Sequence, residues 1–144
     1  MARRFVYFTL AEFIASKTAK RLGIDNTPTF EVVEHLCELT QTVLEPMRAA
    51  YGKRITVSSG YRCARLNKAV GGVADSVHQE GWAADLQADD MAGFKKFVVE
   101  WFRKTRTRFD QCIIERDASG HEWIHIGLYS PTGAQRGQIF KLAA

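Results

Sequence analysis

Cysteine is scarce in this chain of 144 residues. There are three, Cys37, Cys63 and Cys112, and none forms a Cys-x-x-Cys pair. An odd, scattered set excludes a disulfide framework and a cysteine-built zinc site. Cys37 and Cys112 sit in apolar patterns, as core thiols do, and a reduced, cytoplasmic place of synthesis fits. Long apolar runs are missing as well. Nothing approaches the roughly 20 residues needed to span a bilayer, so no membrane insertion is expected. The opening Met1-Ala2-Arg3-Arg4-Phe5-Val6-Tyr7-Phe8 imitates an export signal briefly. Thr9 and Glu12 then interrupt it and no small-residue cleavage site follows. A strong charge imbalance is also absent: the net charge is +4. That excess suits an ordinary solvated surface, or contact with anionic polymers. No nucleic-acid motif accompanies it, so no nucleic-acid partner is expected. There is no serine or cysteine nucleophile motif, no repeat and no low-complexity stretch.

What is present is an ordinary globular composition, 46% hydrophobic and 25% charged, of a length that fits one domain spanning 1–144. Thr9-Leu10-Ala11-Glu12 is a capping box, and the apolar face that follows predicts a helix running to Gly23. Asn26-Thr27-Pro28 predicts the start of a second, with Pro28 in its first turn. Val32, Leu36, Leu39, Val43 and Met47 form its core stripe. Pro46 should kink this helix or end its regular part, and Gly52 should close it. This helical lead-in occupies 1–53. A core of 54–144 follows. Arg54–Ser58 reads as a strand, 62–70 as a short helix, and Ala83–Leu86 as a strand. Asp89 or Asp90 caps a helix through Phe102, whose basic end is Arg103–Arg108. Gln111–Glu115 and Trp123–Leu128 read as a hairpin around Ser119-Gly120, and Gly137–Phe140 as a short edge strand. The expected class is α+β, with helices on one face of a small antiparallel sheet.

Chemistry concentrates in Ser76-Val77-His78-Gln79-Glu80-Gly81-Trp82-Ala83-Ala84-Asp85 and Glu122-Trp123-Ile124-His125. Two imidazoles and one carboxylate are donors that Zn²⁺ accepts at a catalytic site, and three protein ligands leave a fourth position for water. His78 and Asp85 are seven apart with Gly81 between, which suits a loop residue and a strand residue folded onto one ion. His125 would join from the neighbouring strand. A carboxylate that is not a ligand can take and return a proton, and Glu122 is the candidate. It carries a geometric condition. Residues three apart on a regular strand point to opposite faces, so Glu122 must lie in the turn or at a bulge. His121, which shares strand parity with His125, is the other candidate, as a base or as a substrate contact.

Ser-x-His-x-x-Gly-x-Ala-x-Asp followed by Glu-x-x-His resembles the zinc D-alanyl-D-alanine peptidase family. Ser59-Gly60-Tyr61-Arg62, with Leu66-Asn67 behind it, resembles the segment before the first ligand. Phe8–Phe13 and Val43–Arg48 resemble the helical lead-in of small phage- or prophage-associated members. The family includes carboxypeptidases, dipeptidases and phage endopeptidases, and shares its core fold with the hedgehog signalling domain. The resemblance implies one Zn²⁺ per chain on His78, Asp85 and His125, with Glu122 as general base. It places Arg62 near the substrate carbonyl, where a guanidinium could hold an oxyanion, and Ser76 near the substrate. The bland alternatives are a surface salt bridge for Arg62 and a loop-capping hydroxyl for Ser76. The implied activity is hydrolysis of an amide bond in peptidoglycan stem peptides by a monomer. It would reach the wall after release from the cytoplasm, or in a virion. The alternative is a non-catalytic, zinc-stabilised wall-binding or virion module.

Overall fold

The computed structural model describes residues 5–143; the Arg3-Arg4 pair lies outside them. The capping box forms as expected, with Glu12 Oε2 accepting from the Thr9 amide at 2.7 Å. It opens a shorter helix than the pattern suggested, α1 (Leu10–Ile14). Ser16 then starts a new one, α2 (Lys17–Leu22), by accepting from the Ala19 amide. A hydroxyl that can cap in place of continuing a helix favours such a break. Gly23 ends α2 in the left-handed conformation, as expected. The next helix, α3 (Phe30–Leu39), is capped by Thr29, so Pro28 precedes the cap and is not in the first turn.

Pro46 acts through the backbone upstream of it. Residues Thr40–Leu44 form a π-helical turn, in which the Glu45 amide bonds to the Thr40 carbonyl, five residues back. Proline donates no amide hydrogen and its ring collides with the carbonyl four residues earlier. Widening the preceding turn accommodates both effects, and α4 (Glu45–Tyr51) continues to Gly52.

The remaining elements are β1 (Thr56–Ser59), α5 (Ala64–Ala69), β2 (Ala83–Gln87), α6 (Met91–Thr105), β3 (Gln111–Arg116), β4 (Glu122–Gly127) and β5 (Gln138–Ala143). The strands form one sheet in the order β1-β2-β4-β3-β5. The α+β expectation holds. The first four strands in that order pair antiparallel, but β5 lies parallel to β3. The sheet is therefore mixed. The cause is a pin at the start of β3. Buried Asp110 receives the Arg136 guanidinium through two bonds of 2.7 and 2.8 Å. The Gly137 and Gln138 amides donate to the Phe109 and Asp110 carbonyls. The returning chain thus enters beside the beginning of β3 and must run in the same direction.

Strand alternation divides the sheet into two chemical faces. Ala84 and Leu86, Cys112 and Ile114, Ile124 and Ile126 face the helices, where they pack with Leu36, Leu39, Met47, Phe94, Val98 and Phe102. Asp85, Ile113, Glu115, Trp123 and His125 have the opposite parity and line a cleft. The lead-in helices pack closely against the segment behind that cleft. A Cβ built on Gly60 would lie 2.4 Å from the Phe13 carbonyl oxygen, and the Tyr61 amide donates to the same oxygen at 2.6 Å. Only glycine permits this approach of two backbones.

Gly60→Ala is expected to destabilise the fold by about 1–3 kcal/mol, the usual cost of forcing atoms into a packed interior. The urea unfolding midpoint should fall accordingly. An unchanged midpoint would show that α1 and β1 are not held this tightly.

The Asp110–Arg136 pin predicts a pH effect. Burial pushes the Asp110 carboxyl up, but the Arg136 hydrogen bonds and charge outweigh it and hold the carboxyl below its usual range. A carboxyl depressed in the folded state adds stability above its unfolded pKa, about 3.9. That stability is lost as pH falls through the lower, folded value. Asp110→Asn should therefore be less stable than the parent at neutral pH, and the gap should narrow below about pH 4. A gap independent of pH would refute the charge pairing as its source.

Candidate metal centre

Three elements bring the first set of candidates together. Ser76 caps a 3₁₀ turn, Val77–Glu80, by accepting from the His78 amide. Gly81 ends the turn at φ +80°, and a Cβ there would lie 2.7 Å from the Val32 carbonyl oxygen. Glycine is required on both counts, left-handed backbone and contact with α3. The turn thus presses against the helical layer and turns His78 inward. Asp85 and His125 are direct cross-strand partners on β2 and β4.

The donor atoms converge closely. His78 Nε2 lies 3.2 Å from His125 Nδ1 and 3.3 Å from Asp85 Oδ1. His125 Nδ1 lies 3.1 Å from the same oxygen. A tetrahedral zinc ion with bonds of about 2.0–2.1 Å separates its ligand atoms by roughly 3.3–3.4 Å. The triangle has nearly those dimensions. His78 Nδ1 is 2.7 Å from the Gly60 carbonyl oxygen. A carbonyl can only accept, so Nδ1 carries a proton, which leaves Nε2 as the nitrogen that would face a metal. This is the outer hydrogen bond that fixes a metal-binding imidazole. Burial pushes the Asp85 carboxyl up. The charge of His78 and the hydrogen bonds from both histidines more than offset this and hold it well below the usual carboxylate range. Among the described residues, His78, Asp85 and His125 form a group able to hold a metal ion.

Arg62 joins the same cleft. Its Nη2 donates to Ser76 Oγ at 3.3 Å. Burial lowers its pKa from the ordinary value, while the charges of Asp85 and Glu115 act the other way. Its Nε is buried without a protein partner, an exception among buried donors that calls for a ligand or water. Ser76 therefore does what a capping hydroxyl does, and also carries Arg62.

Two candidates are not brought to the cluster. Glu122 begins a regular β4, opposite Arg116, with no bulge before His125. Its parity is that of Ile124 and Ile126. The carboxylate is held by Lys95 Nζ of α6 at 2.7 Å, and that bond keeps its pKa below the ordinary value. Neither escape from strand alternation, turn or bulge, is realised. His121 has the right parity but sits in the hairpin turn, exposed, bonded to Asp117 through its amide and ring.

Glu115, and not Glu122, is the glutamate that lines the cleft. It lies opposite Trp123, two pairs beyond Ile113 and His125, so it is a same-face diagonal neighbour of His125, at roughly 7–8 Å. The Trp123 indole N–H donates to its Oε2, which orients the carboxylate along the cleft wall. The sequence held the signal. Cys112 and Ile114 mark the core face of β3, which sends Glu115 the other way.

A buried pair of imidazoles and a carboxylate, with a guanidinium and a second carboxylate on the same wall, is the layout of a metallohydrolase. A model of the family Peptidase M15 matches residues 6–127, and the chain belongs to that family, whose members are peptidases. Comparison with curated proteins gave no match.

Protein purified without added zinc is expected to carry about one Zn²⁺ per chain, the content of a single three-ligand site. His78→Ala should lose it. Elemental analysis of both proteins is the check, and equal metal in parent and variant would rule out this triangle as the site.

Proposed function

We propose that this chain is a zinc-dependent peptidase that hydrolyses an amide bond in bacterial peptidoglycan stem peptides. One observation carries the reading. The three donor atoms stand 3.1–3.3 Å apart on a cleft that Arg62 and Glu115 also line. Membership of a peptidase family supports it.

His78, Asp85 and His125 would hold the ion. Bound there, Zn²⁺ supplies a Lewis acid for the scissile carbonyl and hydroxide at neutral pH. Arg62, already turned into the cleft by Ser76, donates to the oxygen on which charge develops. Glu115 is the general base: it accepts the proton of the attacking water and returns it to the leaving amine nitrogen. The Trp123 indole fixes one of its oxygens, and Oε1 has no protein hydrogen bond among the described residues. No side-chain nucleophile and no acyl-enzyme are required. Glu122, tied to Lys95 on the helical face, supports the sheet–helix junction.

Digestion of purified peptidoglycan, with new termini read by mass spectrometry, tests the activity. Absence of any new terminus with zinc-loaded protein would leave only a binding role. Glu115→Gln should retain zinc and lose about 10²–10⁴-fold in rate, the usual worth of a general base. Glu122→Gln should cost stability but little rate per folded, zinc-loaded molecule. The reverse pattern would restore Glu122 as the base.

Arg62→Lys keeps the charge and loses the planar fork. On a soluble stem peptide, kcat should fall by about 10²–10³-fold with zinc content unchanged. An unaltered kcat would reduce Arg62 to a structural arginine.

A further inference from the structure

A second cavity, about 570 Å³, adjoins the metal cleft. Arg62 and Val70 line both, so the two spaces meet at these residues. The second is walled on one side by the whole of β1, Thr56–Ser59, and on the other by the start of α2 with Lys17. β1 is the terminal strand of the sheet. One row of its main-chain donors and acceptors therefore faces away from β2. Outside that pairing, the main chain of Thr56–Ser59 has no backbone partner among the described residues. An extended peptide can add to such an edge by main-chain hydrogen bonds.

The charges along this wall are uneven. Glu12 also borders the cavity, but its carboxylate is occupied by the Thr9 amide and hydroxyl. Lys17 makes no ion pair or hydrogen bond among the described residues. It is an uncommitted cation on the wall of this cavity, which Arg62 also lines.

We propose that the substrate's peptide chain continues from the metal centre past Arg62 and lies along the outer edge of β1, with one of its carboxylates received by Lys17. This rests on the peptidase reading above. It makes the substrate an extended, acidic peptide, and Lys17 a specificity-determining residue that takes no part in bond cleavage.

The test uses the full, zinc-loaded chain and two stem pentapeptides that differ only in whether the glutamyl carboxylate is free or amidated. The parent should show the lower KM for the free acid. Lys17→Gln should raise KM for that peptide about two- to fivefold, the worth of an exposed charge pair. It should leave the amidated peptide and both kcat values unchanged. Equal KM values for the two peptides in the parent, or an unmoved KM in Lys17→Gln, would overturn the assignment of Lys17.

Amide chemical shifts recorded with the same peptides on zinc-loaded Glu115→Gln protein separate this proposal from the activity itself. Shifts at residues 56–59 support strand addition even if no peptide is cleaved. Shifts confined to the metal cleft, with cleavage intact in the parent, overturn it and leave the peptidase reading standing.

Discussion

The hydrogen bond from His78 Nδ1 to the Gly60 carbonyl joins two halves of the molecule, and the metal triangle depends on it. On one side, Gly60 and Tyr61 are locked to the Phe13 carbonyl by an approach only glycine allows. On the other, the same bond fixes which nitrogen of His78 faces Asp85 and His125. Neighbouring bonds reinforce the junction. The Arg62 amide donates to the His78 carbonyl. Asn26 bridges the carbonyls of Ile14 and Tyr61 and accepts from the Cys63 amide. The helical lead-in therefore does more than cover the sheet: it sets the depth at which the first imidazole stands.

Around that point opposite charges face one another. Asp85 is buried and ionised because two imidazoles offset its desolvation, the condition under which a buried charge is tolerated. Arg62 is partly buried against the negative charges of Asp85 and Glu115. A divalent cation at the triangle would complete this arrangement. The apolar face of the sheet contributes rigidity. Ile124 and Ile126 are wholly buried beside His125, so the strand carrying that ligand has little freedom to move.

The glutamates separate two kinds of constraint. Glu122 satisfies a motif three residues before a histidine, yet strand alternation sends it to Lys95. Glu115 satisfies no local motif and reaches the cleft because β3 pairs with β4 in a register that sets Ile113 opposite His125. Spacing along the chain speaks for a site residue only where the local backbone is known. Glu122 could face His125 only from a turn or a bulge, and β4 is regular there.

Much of this protein was determined by sequence alone, because the signals are local. The capping box at Thr9, the core stripe of α3, the left-handed stops at Gly23 and Gly52, and strand alternation follow from short-range sterics and hydrogen bonding. His78, Asp85 and His125 were also legible as a group, through the family resemblance of the motifs that carry them, and the fold brings their donors together. Tertiary structure decided what depends on distant partners. The parallel entry of β5 needs Arg136 to find Asp110. The widened turn before Pro46 accommodates a ring within a packed helix. Which glutamate stands beside His125 rests on pairing register, which places residues from separate strands side by side and which no single segment encodes.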